Sequence, residues 1–240
     1  FRIAAMRAIL AVISGRQMVR RCRIGLTFVL TVVVMPLAGQ MPQVDPISAD
    51  SVVIIFHQLV IGFGMGFILL LVLNSVIVAA ENISMTMGMG FAIMADPING
   101  GQVAVVGQFF MVLASLLFLS FNGHLAAIEM LADSFQLIPV STHGIGGEGI
   151  WTVVTWAKYM FIGALTIALP AIAALLSVNL AMGVITRAAP QLNIFSVGFP
   201  ITMTLGFILL NLSLPAFLPI FEKLLGEGFE AARSLLTGGF

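Results

Sequence analysis

Long apolar stretches with almost no ionisable residues constrain the fold of this chain more than any other feature. Blocks 52–80, 103–128 and 150–186 each contain a single His or Lys, and block 194–221 contains none. Only 8% of the residues are charged, whereas about 25% is usual for a soluble domain. A soluble fold would leave too much of this apolar surface in water. The sequence therefore predicts an all-α, polytopic membrane-type protein.

Two of these blocks are too long for one simple membrane crossing, which needs about 20 residues. Block 52–80 contains closely spaced glycines, and block 150–186 contains Pro170. These features favour long helices that are kinked, folded into hairpins or only partly within the bilayer. Gly62 and Gly66 also form a small-xxx-small pair, which predicts close packing against another helix.

Basic residues are distributed unevenly around the first apolar block, 24–37, which is itself short for a span. Arginines cluster at 15–23, whereas the loop at 38–51 has two aspartates and neither Lys nor Arg. The positive-inside rule then predicts that 15–23 faces the cytoplasm and 38–51 the opposite side. Counting alternate crossings puts Arg187 on the cytoplasmic side and the C-terminus outside.

The first stretch that could carry a function is GFAIMADPINGG, which runs from Gly90 to Gly101. The residue before a proline avoids the helical region, so any helix here is expected to end at Asp96. Apolar side chains on such a backbone belong inside protein or along a cavity. The segment is therefore either a packed turn or an apolar plug. The candidate plug residues are Phe91, Met94, Asp96, Pro97, Ile98, Asn99, Gly100 and Gly101, and the candidate apolar seal is Met85, Met87 and Met89.

A polar stripe is the second candidate, within LSFNGHLAAIEMLADSF. At helical spacing Asn122, Glu129 and Asp133 share one face. Such a stripe is typical of a proton relay, of a contact between subunits, or of a helix end that reaches water. The last interpretation is favoured because Glu129 and Asp133 are close to a loop.

A compact polar turn between the last two apolar blocks is the third candidate. Arg187 is isolated among uncharged neighbours, and Pro190 should end the preceding helix at or before Ala189. Two apolar arms joined by such a turn predict a helical hairpin, whose tip either anchors the topology or contacts a partner. The tip residues are Thr186, Arg187, Pro190, Gln191 and Asn193.

No residue set suggests a cofactor, a metal or an enzymatic reaction. Cys22 is the only cysteine, and the three histidines are far apart in the sequence. Nucleotide-binding loops and zinc-protease helix motifs are absent from the sequence. The formal net charge is zero, so no basic excess points to nucleic acid. We therefore expect no cofactor, no nucleic-acid partner and no enzymatic activity.

Three stretches carry a resemblance to a known family: EN…MGMGFAIMADP, LFLSFNGHL…DSFQLIPV and LPAIAALLSVNLAMGVITRAAPQLNIFSVGFPI. With them the chain resembles the FliR family, the flagellar branch of the T-subunits of type III secretion export gates. RAAPQLNIFSVGFP is the most specific run, and the resemblance extends from FRIAAM to about Phe221. Residues 222–240 are expected to form a C-terminal tail without a motif. Relative to the family a short apolar N-terminal stretch is missing, so the first helix is expected to be incomplete.

The resemblance implies a single export-gate domain. Approximately 1–145 would correspond to a FliP-like half with a plug loop at 91–101, and approximately 150–221 to a FliQ-like hairpin with its tip at 186–193. The loop at 133–149 is the expected hinge between them. The domain would belong to a helical hetero-oligomeric channel with FliP- and FliQ-like subunits, near FlhB- and FlhA-like components, in lipid of the bacterial inner membrane at the flagellar basal body. Unfolded export substrates would pass through that channel.

Two other classes of membrane protein stay open from the residues alone. A small-molecule secondary transporter also uses broken helices, but it should show two related halves and polar residues in mid-membrane. An intramembrane enzyme needs a buried catalytic pair. Co-purification distinguishes an export-gate subunit from a transporter, because the former should purify with other membrane subunits and the latter alone or as a homo-oligomer.

Overall fold

The computed structural model describes residues 1–9, 19–37, 44–45, 48–90, 105–142, 144–189 and 198–237, without the side chains of Arg20 and Arg23. This part of the chain contains seven α-helices, one short 3-10 helix and no β-strand. The helices are α1 (Arg2–Ile9), α2 (Arg20–Val34), the 3-10 helix η1 (Met35–Leu37), α3 (Ala49–Thr86), α4 (Val105–Ser120), α5 (Gly123–Leu137), α6 (Gly147–Ala188) and α7 (Phe199–Thr237). The predicted all-α class is confirmed.

Three helices, α3, α6 and α7, are long and apolar enough to cross a membrane, and the bent pair α4 and α5 provides a fourth span if it is counted as one. The three contain 38, 42 and 39 residues. At about 1.5 Å per residue they are roughly 57–63 Å long, whereas the hydrocarbon core of a bilayer is about 30 Å thick. The polytopic class is therefore supported, and each helix extends beyond one bilayer thickness.

The glycine-rich and proline-containing blocks do not fold back on themselves. Block 52–80 lies within α3, and block 150–186 lies within α6, which continues through Pro170. α7 likewise continues through Pro215 and Pro219. Proline removes one backbone donor, but ending a helix in an apolar setting would leave several backbone groups without partners. The alternative of a hairpin inside either block is therefore wrong.

The apolar block 103–128 is bent near Asn122, the first residue of the predicted polar stripe. The axes of α4 and α5 differ by 64°, and Asn122 at the break has the left-handed φ of 56°. Asparagine tolerates this conformation better than most residues. Its carbonyl accepts the first hydrogen bonds of α5. Asn122 therefore caps the start of α5. Glu129 and Asp133 lie further along the same helix.

The Cα positions of the chain group into two compact units. The first consists of Phe1–Val72, Ser115–Tyr159 and Leu224–Phe240, and the second of Leu73–Ala114 and Met160–Lys223. Each unit contains residues of both the predicted FliP-like half, approximately 1–145, and the predicted FliQ-like hairpin, approximately 150–221. The expected hinge loop lies entirely within the first unit. The division into a FliP-like half and a FliQ-like hairpin stays a prediction.

The core of the first unit includes the end of α7. Its buried apolar residues are Ile3, Met6, Val34, Ile61, Met65, Ile68, Leu69, Ala127, Met130, Leu131, Ala231, Ala232, Leu235 and Leu236. The last four of these residues recur at helical spacing, so they form one apolar face of α7. The segment expected to be a separate C-terminal tail is thus, as far as Thr237, the buried end of a long helix.

Gly62 and Gly66 lie where the backbone of α1 runs directly against α3. A Cβ added at Gly62 would overlap the carbonyl oxygen of Arg2, and a Cβ added at Gly66 would lie 2.9 Å from the carbonyl oxygen of Met6. Backbone atoms cannot move aside as the end of a flexible side chain can. The close approach of the two helices therefore depends on the absence of side chains at these positions.

We expect Gly62→Ala to lower stability by about 1–3 kcal/mol, the usual cost of overpacking. Gly226→Ala is the matched control, because a Cβ there meets no atom within 4 Å. Alanine at that position should stabilise α7 by up to about 1 kcal/mol. Thermal unfolding of the two detergent-purified variants tests this. Equal melting temperatures would contradict the close contact between α1 and α3.

Candidate functional site

The candidate plug, Phe91–Gly101, lies outside the described residues, and with it the expected helix end at Asp96. The structure does describe the helix that leads into it. α3 ends at Thr86 and a turn over Met87–Met89 follows. Gly88 in this turn has a φ of 86°, a conformation that glycine adopts without strain. This helix end was not recognised from the sequence.

The turn after α3 is a Schellman motif. The N–H of Met89 donates to the carbonyl of Ser84 (3.1 Å), and the N–H of Gly88 donates to the carbonyl of Met85 (3.0 Å). These are the 6→1 and 5→2 hydrogen bonds of the motif, with glycine at its usual position. The hydroxyl of Ser84 also donates to Sδ of Met89 (3.2 Å). A glycine directly after an apolar helix was the signal that could have revealed this end.

The next two carbonyls of the turn face side chains of α6 and α7, within the same compact unit. Nδ2 of Asn179 donates to the carbonyl of Thr86 at 3.1 Å. The hydroxyl of Thr202 lies 3.4 Å from the carbonyl of Met87 and 3.0 Å from that of Phe199, so its single proton is shared. Carbonyls at a helix C-terminus have no partner inside the helix. Side chains of other helices therefore fix the end of α3.

The three methionines of the expected seal have different surroundings. Met87 is fully buried, Met89 is partly buried and Met85 is 64% exposed. Met87 fills the space above Gly206 of α7, where an added Cβ would lie 2.6 Å from both Cγ and Cε of Met87. Met87 is thus a packing residue of the helix end, and only Met85 offers a largely exposed apolar side chain.

The polar stripe contains a surface ion pair. Asn122 and Glu129 are exposed. A carboxylate oxygen of Asp133 lies 4.0 Å from the guanidinium of Arg233 in α7, and both side chains are about half exposed. An exposed pair of this kind contributes about 0–1 kcal/mol. The pair is thus exposed on the chain itself, and the interpretation of the stripe as a helix end that reaches water stays a prediction.

The first two residues of the predicted hairpin tip form the last turn of α6. Thr186 donates its hydroxyl to the carbonyl of Gly183 (3.1 Å), and Arg187 is exposed. A cation at a helix C-terminus is favourable by about 0.3–1 kcal/mol. α6 ends at Ala188, so the predicted helix end before the proline is confirmed. The other tip residues, Pro190, Gln191 and Asn193, lie outside the described residues.

A buried arginine that was not among the predicted site residues joins three helices of the first unit. Nε of Arg2 donates to Oε1 of Gln58 in α3 (2.9 Å). Nη1 donates to the carbonyl (2.6 Å) and the hydroxyl (3.0 Å) of Ser134, and Nη2 to the carbonyl of Ile138 (2.9 Å). The guanidinium also lies 4.3 Å from the ring centre of Phe135, a cation–π contact. One side chain therefore ties α1 to α3 and to the end of α5.

The charge of Arg2 is retained in this environment. The side chain is only 1% exposed, and burial lowers its pKa to about 10, still well above neutral pH. A cation near the C-terminus of α5 is also favoured by the helix dipole. Arg2 and Arg7 are the two charges of an otherwise apolar opening stretch, and this pattern was the signal that could have revealed the buried arginine, because such a charge must be paired inside the fold.

Comparison with known proteins identifies the family. The model of bacterial export proteins, family 1, matches residues 1–228. The chain is 39% identical over 237 residues to the flagellar biosynthetic protein FliR of Pectobacterium carotovorum subsp. carotovorum, a match that covers 98% of this chain and 90% of that protein. It is 32% identical over 238 residues to FliR of Escherichia coli (strain K12), with 98% and 90% covered. For FliR of Bacillus subtilis (strain 168) the identity is 29% over 239 residues, with 98% and 92% covered. The chain therefore belongs to the bacterial export proteins of family 1, and within them to the FliR family of flagellar biosynthetic proteins.

Proposed function

We propose that this protein is a structural and gating subunit of the flagellar type III protein export gate. It forms a channel with FliP- and FliQ-like membrane subunits, next to FlhB- and FlhA-like components, in the inner membrane at the flagellar basal body. Unfolded export substrates pass through this channel. Phe91–Gly101 closes it at rest, and the protein has no enzymatic role. Membership of the export family supports the export part of this proposal.

The capped end of α3 is the observation that carries the gating part. A helix that continued past Met89 would hold the following residues rigidly. The Schellman motif at Gly88 instead ends the helix at a fixed point, and the sequence that follows, Asp96 to Gly101, is rich in turn residues. A segment attached to a fixed helix end can change position without unfolding the helices around it.

The unpaired apolar faces of the long helices support assembly with other subunits. In an 18-residue apolar stretch of each long helix, the share that is buried within the chain is 67% for α3, 33% for α6 and 22% for α7. Lipid can cover an apolar face, yet Asn211 is exposed in the middle of the apolar run FILLNLSL of α7. A polar side chain at such a position requires a partner. Neighbouring subunits would supply it.

We expect the tagged protein, extracted from its own cells in mild detergent, to purify with other membrane subunits. Native mass spectrometry should show a hetero-oligomer. The same chain produced alone should aggregate or melt at a lower temperature, because α6 and α7 lose the partners that cover them. An isolated chain that is monodisperse and as heat-resistant as the complex would contradict the proposal and favour a transporter.

A further inference from the structure

We infer that a pocket of the first compact unit binds one anionic phospholipid, whose headgroup oxygens contact Arg2 and Gln58 and whose acyl chain occupies the apolar remainder. The pocket is formed by residues of α1, α2, α3 and α5, all within that unit, and has a volume of about 570 Å³. Sites for small organic ligands typically measure about 300–1,000 Å³. The described residues that line the pocket include no Asp or Glu.

Gln58 supplies a hydrogen-bond donor that the described part of the chain does not use. The residue is only 5% exposed. Its Oε1 accepts from Nε of Arg2, and this bond fixes the orientation of the amide, because a flipped amide would place Nε2 against another donor. Nε2 is buried and has no hydrogen-bond partner within the described residues. A buried donor without an acceptor is costly, so an oxygen of a bound molecule at this position would be favourable.

Arg2 adds a positive charge whose acceptors are all uncharged. Its hydrogen bonds go to the side chain of Gln58, to the carbonyl and hydroxyl of Ser134 and to the carbonyl of Ile138. These four bonds account for four of the five N–H groups of a guanidinium and leave one on Nη2. A buried cation is favoured by an anion nearby, and the planar guanidinium matches the geometry of phosphate. The occupant is therefore expected to carry a negative charge on oxygen atoms.

The apolar walls of the pocket favour a lipid over a free inorganic anion. α3 contributes Ile54 and Ile55, and α2 contributes Val34. Thr31 also lines the pocket, but its hydroxyl proton is already donated to the carbonyl of Thr27. A free phosphate would leave the apolar walls uncovered, whereas an acyl chain covers them. Basic pockets between membrane helices are a general kind of site for anionic lipid headgroups.

The test is photolabelling with a phosphatidylglycerol that carries a diazirine in one acyl chain. The reagent is added to the protein purified in mild detergent together with its partner subunits. Peptide mapping should place the label on residues that line the pocket, such as Met35 of η1 and Ile55 of α3. Plain phosphatidylglycerol should compete for the label, and phosphatidylcholine, whose headgroup has no net charge, should compete at least tenfold less well. Inorganic phosphate should not compete.

Gln58→Glu tests the headgroup contact without emptying the position. Glutamate keeps an oxygen that accepts from Arg2 and replaces the Nε2 donor by a second, negatively charged oxygen. Labelling of the pocket should fall at least tenfold, the factor that corresponds to the loss of one hydrogen bond to a charged group. Gln136→Glu is the matched control, because it makes the same change at an exposed position of α5 that does not line the pocket. It should leave labelling unchanged.

Ile54→Trp tests the acyl-chain part separately. The larger side chain should fill the apolar part of the pocket and lower labelling at least tenfold, whereas Val52→Trp should not, because Val52 is 67% exposed on the same helix and does not line the pocket. Either Gln58→Glu or Ile54→Trp carries the test if the other prevents purification.

Three results would overturn the lipid site. The first is undiminished labelling of the pocket in purified Gln58→Glu or Ile54→Trp protein. The second is a pocket that stays unlabelled in the protein with the natural sequence, as expected if a segment of a partner subunit fills it. The third is equal competition by phosphatidylcholine or by inorganic phosphate, which would remove the preference for an anionic headgroup or for a lipid.

Discussion

Arg2→Met is expected to destabilise the protein by about 3 kcal/mol or more. Methionine replaces the unbranched stem of the arginine but removes the guanidinium cation that holds Gln58, Ser134 and Ile138. Gln58 and Ser134 are buried and Ile138 is partly buried, and each buried acceptor left without a donor costs about 1–3 kcal/mol. Thermal unfolding of the detergent-purified protein should show a drop of many degrees.

Two further variants make the Arg2 experiment decisive. Arg21→Met is the matched control, because Arg21 is exposed on α2 and such changes are usually within about 0.5 kcal/mol. Arg2→Lys keeps the charge but not the planar fork that reaches four acceptor atoms on three residues at once, so it should recover only part of the stability. Equal melting temperatures for Arg2→Met and Arg21→Met would show that the arginine does not hold the first unit together.

The fold class could be predicted because long uncharged blocks leave few alternatives to membrane helices. The extent of the helices could not. Pro170, Pro215 and Pro219 are helix breakers in water, yet α6 and α7 continue through them because an apolar environment penalises every backbone group left unpaired. The burial of the end of α7 could not be predicted from the sequence for a related reason. Its buried alanines and leucines near Leu235 acquire meaning only from the partners they pack against.

The candidate site was also predicted in part. The Met-rich approach and the tip at Arg187 are visible as runs of unusual composition. The helix end at Gly88 required a positive φ, which a sequence does not display. The contacts of Asn179 and Gly206 with α3 join residues distant in the chain, and Arg2 finds its acceptors on two other helices. Tertiary contacts of this kind have no local signature.

Replacing Phe91 and Met94 together by alanine is expected to raise the resting ion leak of the assembled channel at least tenfold. Each change removes a large apolar side chain, whose burial contributes about 1.5–3 kcal/mol, and an apolar constriction excludes ions by remaining dry. Deleting Ile98–Gly101 should have a larger effect, because it shortens the proposed plug by four residues and removes two glycines, the residues with the widest range of backbone conformations.

The matched control for this change is Phe207→Ala with Met35→Ala. It removes the same two kinds of side chain from exposed positions on α7 and η1, away from the plug segment in the sequence. Both side chains are exposed on the chain itself, so their loss is not expected to open a pore. Export of flagellar substrates should continue in cells with either double variant, because the channel wall is unchanged.

Conductance of the purified complex in a planar lipid bilayer tests the gating role most directly. The complex with the natural sequence should be closed at rest, and the control variant should be equally closed. Complexes with Phe91→Ala and Met94→Ala, or without Ile98–Gly101, should carry a steady ionic current while their subunit composition and melting temperature stay the same. Conductance equal to that of the natural complex in both assembled variants would show that Phe91–Gly101 is a packed turn and not a gate.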